Sequence, residues 1–176
     1  PGSGTAGQSQ TGQAPGGAAG EKIVNIGVTN TLNTLNPLLM DGMEMNKYAT
    51  GLMFLPLMEL DKDMNFEGML ADSVTAEDDR NFLVHIDDKA VWSDGQPVTA
   101  DDVVYTALRI CSPAIGNMAM MYYVFEGVGD DGFVEEGADH VEGITKVDDK
   151  TVRFTTKAPM SLITVNSSYA RYLMTL

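Results

Sequence analysis

Carboxylates dominate the side chains of this chain that could do chemistry. Asp61, Asp63 and Asn65 fall at positions 1, 3 and 5 of a twelve-residue calcium loop, and Asp72 falls at position 12. Position 6, where the sharp turn of such a loop needs glycine, is Phe66, and no helical pattern flanks the stretch. A hairpin turn is the better reading of residues 61–72. Asp130, Asp131, Glu135 and Glu136 could in principle act as paired acid and base, but they sit in a glycine-rich run and read as a solvated loop. The two histidines, His85 and His140, lie in settings predicted to be exposed, His85 opposite the apolar side of its strand. Cys111 is the only cysteine, so an internal disulfide is excluded. Nucleophile-elbow, phosphate-loop, zinc-protease and paired-cysteine motifs are absent. An acid–base hydrolase is therefore the weakest reading. From these residues no enzyme activity, cofactor or metal is expected.

The elements that would carry any site are clearer. In Val91–Tyr105, Asp94-Gly95 signals a tight turn, and Pro97 delays the next helix. Thr99 is placed as an N-cap, its hydroxyl expected to accept the Asp102 N–H, and Asp102 stands as the acidic partner of a capping box. Asp101 and Asp102 also put negative charge at the positive end of the helix dipole. Val103, Val104, Ala107, Leu108 and Cys111 follow at helical spacing and form one apolar face, which makes Cys111 a buried thiol.

Upstream, residues 1–20 carry no charge and no large apolar side chain. They cannot offset their ordering entropy and read as a flexible linker, with Pro1-Gly2-Ser3 resembling a cloning remnant. Lys22–Val28 alternates and is read as a first strand, and Met45–Met58 as a helix with Tyr48, Leu52 and Leu55 on one face, ended by Pro56. Met69–Val74 and Phe82–Ile86 flank a polar turn at 78–81. Val141–Val147 and Thr151–Thr156 flank a turn at 148–150. A short apolar helix runs from Ser161 towards Val165. The 176 residues suffice for a domain with a real core, burying roughly 70% of the unfolded surface. The net charge of −14 argues against nucleic acid and anionic lipid as partners. There is no run of eighteen apolar residues to span a membrane as a helix.

Several separated segments resemble one family. Trp92-Ser-Asp-Gly-Gln-Pro-Val-Thr-Ala-Asp-Asp-Val-Val-Tyr105 resembles the signature of the peptide/nickel class (family 5) of ABC-transporter solute-binding proteins. Thr34-Leu-Asn-Pro37, Leu57-Met-Glu-Leu-Asp61, Met69–Val74 and the Gly143–Val152 hairpin are similar to that family's patterns in the same order. The resemblance implies an α+β fold, the N-terminal part of a periplasmic-binding-protein-like (class II, cluster C) receptor. It implies residues 21–57 as the first strand and helix of lobe I, and 58–165 as an inserted α+β subdomain with a mixed or antiparallel sheet. Residues 166–176 would return to lobe I, with the second lobe absent. It further implies capture of a solute, foremost an oligopeptide, for an ABC permease outside the cytoplasm, in the periplasm or as a lipid-anchored surface protein. Asp41, Gly42 and Met43 would lie on the cleft wall, where a glycine lets backbone approach a ligand. Met121 and Tyr122 would touch the ligand, although each methionine between 118 and 121 taken singly reads better as core. A stand-alone interaction module is the competing reading.

Overall fold

The structure is a computed structural model that describes residues 23–29, 31–39, 44–116 and 122–171. Its centre is a four-stranded antiparallel sheet built from β3 (Ala71–Ala76), β4 (Asn81–Ile86), β5 (Ile144–Asp148) and β6 (Thr151–Thr155), in the order β3-β4-β6-β5. Alternation decides which side is buried. Phe82, Val84 and Ile86 of β4 and Val152 and Phe154 of β6 all point inward. The register sets Phe82 opposite Phe154 and Val84 opposite Val152, so the apolar pairs lie side by side. A bulge between Ala71 and Ser73 lets β3 bury Ala71 and Val74, three residues apart, on that same face. The outer face is polar, with Arg153 bound to Glu77 at 2.8 Å and His85 Nδ1 3.0 Å from Asp72 Oδ1.

The helix α2 (Ala100–Ile110) packs on β5 and β6 through Ala100, Val103, Ala107, Ile110 and the adjoining Cys111. Its start is the capping box the sequence predicts, with the Thr99 side chain facing the Asp102 N–H and the Asp102 side chain accepting the Thr99 N–H. The Asp102 carboxylate accepts both the Thr99 N–H (2.7 Å) and the Thr99 hydroxyl (3.0 Å), while the Asp102 N–H reaches the Thr99 carbonyl at 3.2 Å. The hydroxyl donates to an ionised acceptor, a stronger bond than the one expected from the Asp102 N–H. The preceding turn is as read: Gly95 has φ 87°, and Lys150 Nζ donates to the carbonyls of Val98 (2.9 Å) and Asp87 (3.2 Å).

Strands β1 (Met58–Leu60) and β2 (Phe66–Gly68) form a separate hairpin. The calcium-like residues make its turn. Asp61 Oδ1 accepts the N–H groups of Asp63 and Asn65, both at 2.8 Å, and its Oδ2 accepts from the Asn65 side chain at 3.2 Å. These donors, the Asn65 N–H foremost, hold the Asp61 carboxyl below its usual range. The chain ends its described path in α3 (Leu162–Val165), capped by Ser161, and a π-helical turn at Asn166–Ala170. That turn lies against the start of β1, where the Leu57 N–H donates to the Ala170 carbonyl at 3.1 Å and Arg171 Nε meets Glu59 at 2.8 Å.

Two expectations need correction. Residues 23–28 form no strand; they have no regular structure, and Ile23, Val24, Ile26 and Val28 are exposed. Alternation specifies a strand only where another strand takes up its backbone groups. The helix predicted over 45–58 is instead α1 (Glu44–Gly51), which ends seven residues earlier. It stops at glycine, a weak helix former. It also buries its polar side: Thr50 Oγ1 donates to the Asn46 carbonyl at 2.7 Å, and Asn46 Oδ1 accepts the Asn33 N–H at 3.1 Å. Tyr48, Leu52 and Leu55 are left exposed.

Candidate functional site

Of the residues the sequence singled out, Asp41, Gly42, Met43 and Met121 lie outside the described residues. Tyr122 is described, and its place is built from the sheet outward. Phe154, inward on β6, meets Phe125 edge to face at 5.4 Å between ring centroids. Phe125 is held beside β6 by its bridge to Thr156 and by the Glu126 N–H, which donates to the Thr155 carbonyl at 3.1 Å. The incoming strand passes so close that a Cβ on Gly143 would stand 2.5 Å from the Glu126 nitrogen and 2.6 Å from the Thr155 oxygen, so only glycine fits. The guanidinium of Arg80 closes this junction from outside by pairing with Glu126 and donating to the Thr156 carbonyl at 2.8 Å.

On that base stands an aromatic group. Tyr122, in a single 3-10 turn at 122–124, lies 5.4 Å from Phe125 and 5.7 Å from Tyr169, and Tyr169 lies 5.0 Å edge-on from Phe125. Such tilted and edge-to-face pairs are the favourable arrangements of aromatic rings. Tyr122 is 2% exposed, and among the described residues its hydroxyl has no hydrogen-bond partner. Burial first, then the neighbouring Cys111 thiol and Tyr169 phenol, hold its phenol well above the usual range. It is therefore a neutral O–H donor at any physiological pH. Asn166 Oδ1, three residues before Tyr169 in the π-turn, is a second buried polar atom with no partner among the described residues. A buried donor and a buried acceptor in an apolar setting suit neutral polar partners, and neither is ionised at neutral pH.

Sequence reasoning singled out Tyr122 through the family resemblance and did not single out Tyr169 or Asn166, which the structure packs near it or leaves as a buried polar group. A π-turn has no simple periodic signature, so Asn166, Tyr169 and Ala170 did not read as one buried face. The acidic loop at 127–139 is pinned by buried Val128 and Val134 and leaves its carboxylates outside. Between this loop and the end of α2 is an open hollow of about 570 Å³, walled by Leu108, Arg109, Phe133 and Glu135 among others. Among the described residues, no group of three or more histidine, cysteine or acidic side chains is placed to hold a metal ion.

Comparison with known proteins gives this architecture its relatives. The chain is 36% identical over 92 residues to the peptidoglycan-binding protein YepA of Agrobacterium fabrum, covering 47% of this chain and 15% of that one. It is 27% identical over 147 residues to the dipeptide-binding protein DppE of Bacillus subtilis, covering 80% and 26% respectively. The periplasmic oligopeptide-binding protein OppA of Escherichia coli is 27% identical over 131 residues, 73% of this chain and 24% of that one. The chain thus spans between a sixth and about a quarter of the length of these relatives. In fold it matches the Escherichia coli murein tripeptide binding protein MppA, with a TM-score of 0.68 at 21% identity over 81% of this chain and 28% of that one. It likewise matches Haemophilus influenzae OppA in complex with the peptide RPPGFSPFR, with a TM-score of 0.65 at 23% identity over the same shares. The family described as bacterial extracellular solute-binding proteins, family 5 Middle, matches residues 65–175, and by that match over more than half of its length the chain belongs to this family.

Proposed function

We propose that these 176 residues serve as one wall and scaffold of an extracytoplasmic receptor that captures an oligopeptide and hands it to an ABC permease. The observation that carries this reading is the family match over residues 65–175, which falls on a complete sheet-and-helix unit. The peptide-binding relatives support the solute class. In this reading Tyr122 offers its free hydroxyl to a peptide carbonyl, and Asp41, Gly42, Met43 and Met121 line the same wall. Binding proceeds without turnover, as membership of a solute-binding family supports. Delivery takes place outside the cytoplasm, from the periplasm or from a lipid-anchored position at the cell surface. Burying most of a peptide takes two walls and closure about a hinge. The second wall is proposed to come from polypeptide beyond this chain.

The test uses a chimera in which this chain replaces the matching stretch of Bacillus subtilis DppE. Calorimetry with a pool of di- to pentapeptides is expected to show saturable binding, and mass spectrometry to return the peptides unchanged. A correctly folded chimera that binds no peptide, or one that cleaves peptides, overturns the proposal. The isolated chain is expected to unfold cooperatively with no shift of its midpoint on adding the pool. A ligand at 100 times its dissociation constant would add about 2.7 kcal/mol.

A further inference from the structure

The hollow between the end of α2 and residues 127–139 holds about 570 Å³, room enough for a ligand or an anchoring side chain. Its floor is apolar, with Leu108 and Phe133 half-buried there and Pro113 at an exposed edge. Its rim is acidic. Residues 127–139 carry five carboxylates and no lysine or arginine. Two of the five do not line the hollow and have partners inside the chain: Asp130 lies 3.5 Å from Lys157 Nζ, and Asp139 lies 2.6 Å from His140 Nδ1. The three that line it, Asp131, Glu135 and Glu136, pair with no cation among the described residues. Arg109 lines the same hollow, yet its guanidinium sits over the Tyr105 ring, 5.9 Å from the centroid. Three carboxylates and one guanidinium leave the lining with a net charge of −2.

The rim is shaped before any partner arrives. Val128 and Val134 are buried, and the Val134 N–H donates to the Cys111 carbonyl at 2.9 Å. The Gly129 N–H donates to the Phe133 carbonyl at 2.6 Å, and the Phe133 N–H to Asp131 Oδ1 at 3.1 Å. A connection of this length without helix or strand is commonly functional or disordered, and this one is held in place.

We propose that the hollow is a docking site for a partner protein, entered by a short basic segment of that partner. A large apolar side chain of the segment fills the space between Leu108 and Phe133, while lysines or arginines beside it meet Asp131, Glu135 and Glu136. An apolar anchor in a pocket is the usual form of an interface hot spot, and opposite charge around it speeds the encounter. In this sequence no two lysines or arginines are adjacent, so neither the chain itself nor a second copy offers such a segment. The docking site is separate from the Tyr122 wall and does not depend on the receptor reading. Free di- to pentapeptides end in a carboxylate that the rim repels, so the peptide pool leaves it empty.

The test is fluorescence anisotropy of this chain with a labelled, end-blocked octapeptide that has two arginines on each side of Leu-Phe and a glycine at each end. Saturable binding is expected, weakening about tenfold between about 50 and about 200 mM salt. The double variant Glu135→Gln, Glu136→Gln is expected to bind about tenfold more weakly. Glu67→Gln, Asp88→Asn removes the same charge from exposed residues outside the hollow and is expected to leave affinity within about twofold. Replacing Leu-Phe by Ser-Ser in the peptide is expected to weaken binding about tenfold. Absence of saturable binding overturns the proposal. So does an equal loss in the two double variants, which would make the attraction one of net charge alone. Equal binding of the Ser-Ser peptide overturns it as well, since the hollow would then take only a cation. Self-association of the chain that the octapeptide competes away makes a second copy the occupant and also overturns it. If a variant does not keep its unfolding midpoint, the two peptides decide the matter on the native chain.

Discussion

Tyr122 is the residue on which fold and function disagree most usefully. Its ring is core material, packed against Phe125 and Tyr169, while its buried hydroxyl has no partner among the described residues. An unsatisfied buried hydroxyl costs about 1–3 kcal/mol. Tyr122→Phe removes that group and keeps the packing, so it is expected to leave the chain as stable or up to about 1 kcal/mol more stable in urea unfolding. Tyr122→Ala removes the packing and is expected to cost about 3–5 kcal/mol. In the peptide-binding chimera, Tyr122→Phe is expected to weaken peptide affinity without changing stability, a split that a purely structural tyrosine would not show. Cys111 makes a simpler prediction at this scale. Burial pushes its thiol up to about 12 from an ordinary value of 9.0. The native thiol is expected to be inert to a disulfide reagent at pH 8 and to react fully once the chain is unfolded. The folded value lies above the unfolded one, so this contribution to stability is complete below pH 9 and is lost as pH rises from there towards 12.

At the scale of elements, the sequence was legible wherever the pattern was satisfied inside the chain. β4 and β6 alternate and bury what the alternation predicts, and α2 starts at Thr99 and buries the face its spacing predicts. The segment at 23–28 carries an equally clear pattern and has no regular structure, and no strand pairs with it among the described residues. The proposed ligand-contact positions rest on the resemblance alone, since Asp41, Gly42, Met43, Met121 and Tyr122 follow no motif that would mark them without it. Two elements offer direct tests. Asp102→Ala removes the acceptor for two bonds at the start of α2 and a favourable charge on its dipole. It is expected to cost about 1 kcal/mol, a fall of roughly 2–4 °C in Tm. The turn aspartates respond to pH. The Asn65 N–H first holds Asp61 below its ordinary value of 3.8, and the Asn81 side-chain amide first holds Asp78 below it. Folded values below unfolded ones stabilise the native state above pH 3.8, and this support is lost as pH falls through the folded values. The double variant Asp61→Ala, Asp78→Ala is expected to unfold earlier than the parent at pH 7 and to lose that difference in an acid titration of the midpoint.

At the scale of the molecule, the two points where the chain enters and leaves its main unit are joined. The Leu57 N–H donates to the Ala170 carbonyl, and Arg171 pairs with Glu59 one residue pair further in. Between these points lie both sheets, α2 and nearly all of the buried hydrophobic residues among those described; the described part of the segment before them contributes Leu38 alone. A unit closed in this way has its own core and crosses to its surroundings through two adjacent connections, as an inserted domain does. Its cooperativity should therefore not depend on residues 23–55. Limited proteolysis with chymotrypsin is expected to cut first at Tyr48 or Leu52, which are exposed. The remaining product should unfold cooperatively within about 3 °C of the intact chain, a difference of roughly 1 kcal/mol or less at this size. A product that loses its cooperative transition would mean that Leu38 and the loop around it are structural to the main unit, and that the chain folds as one indivisible body.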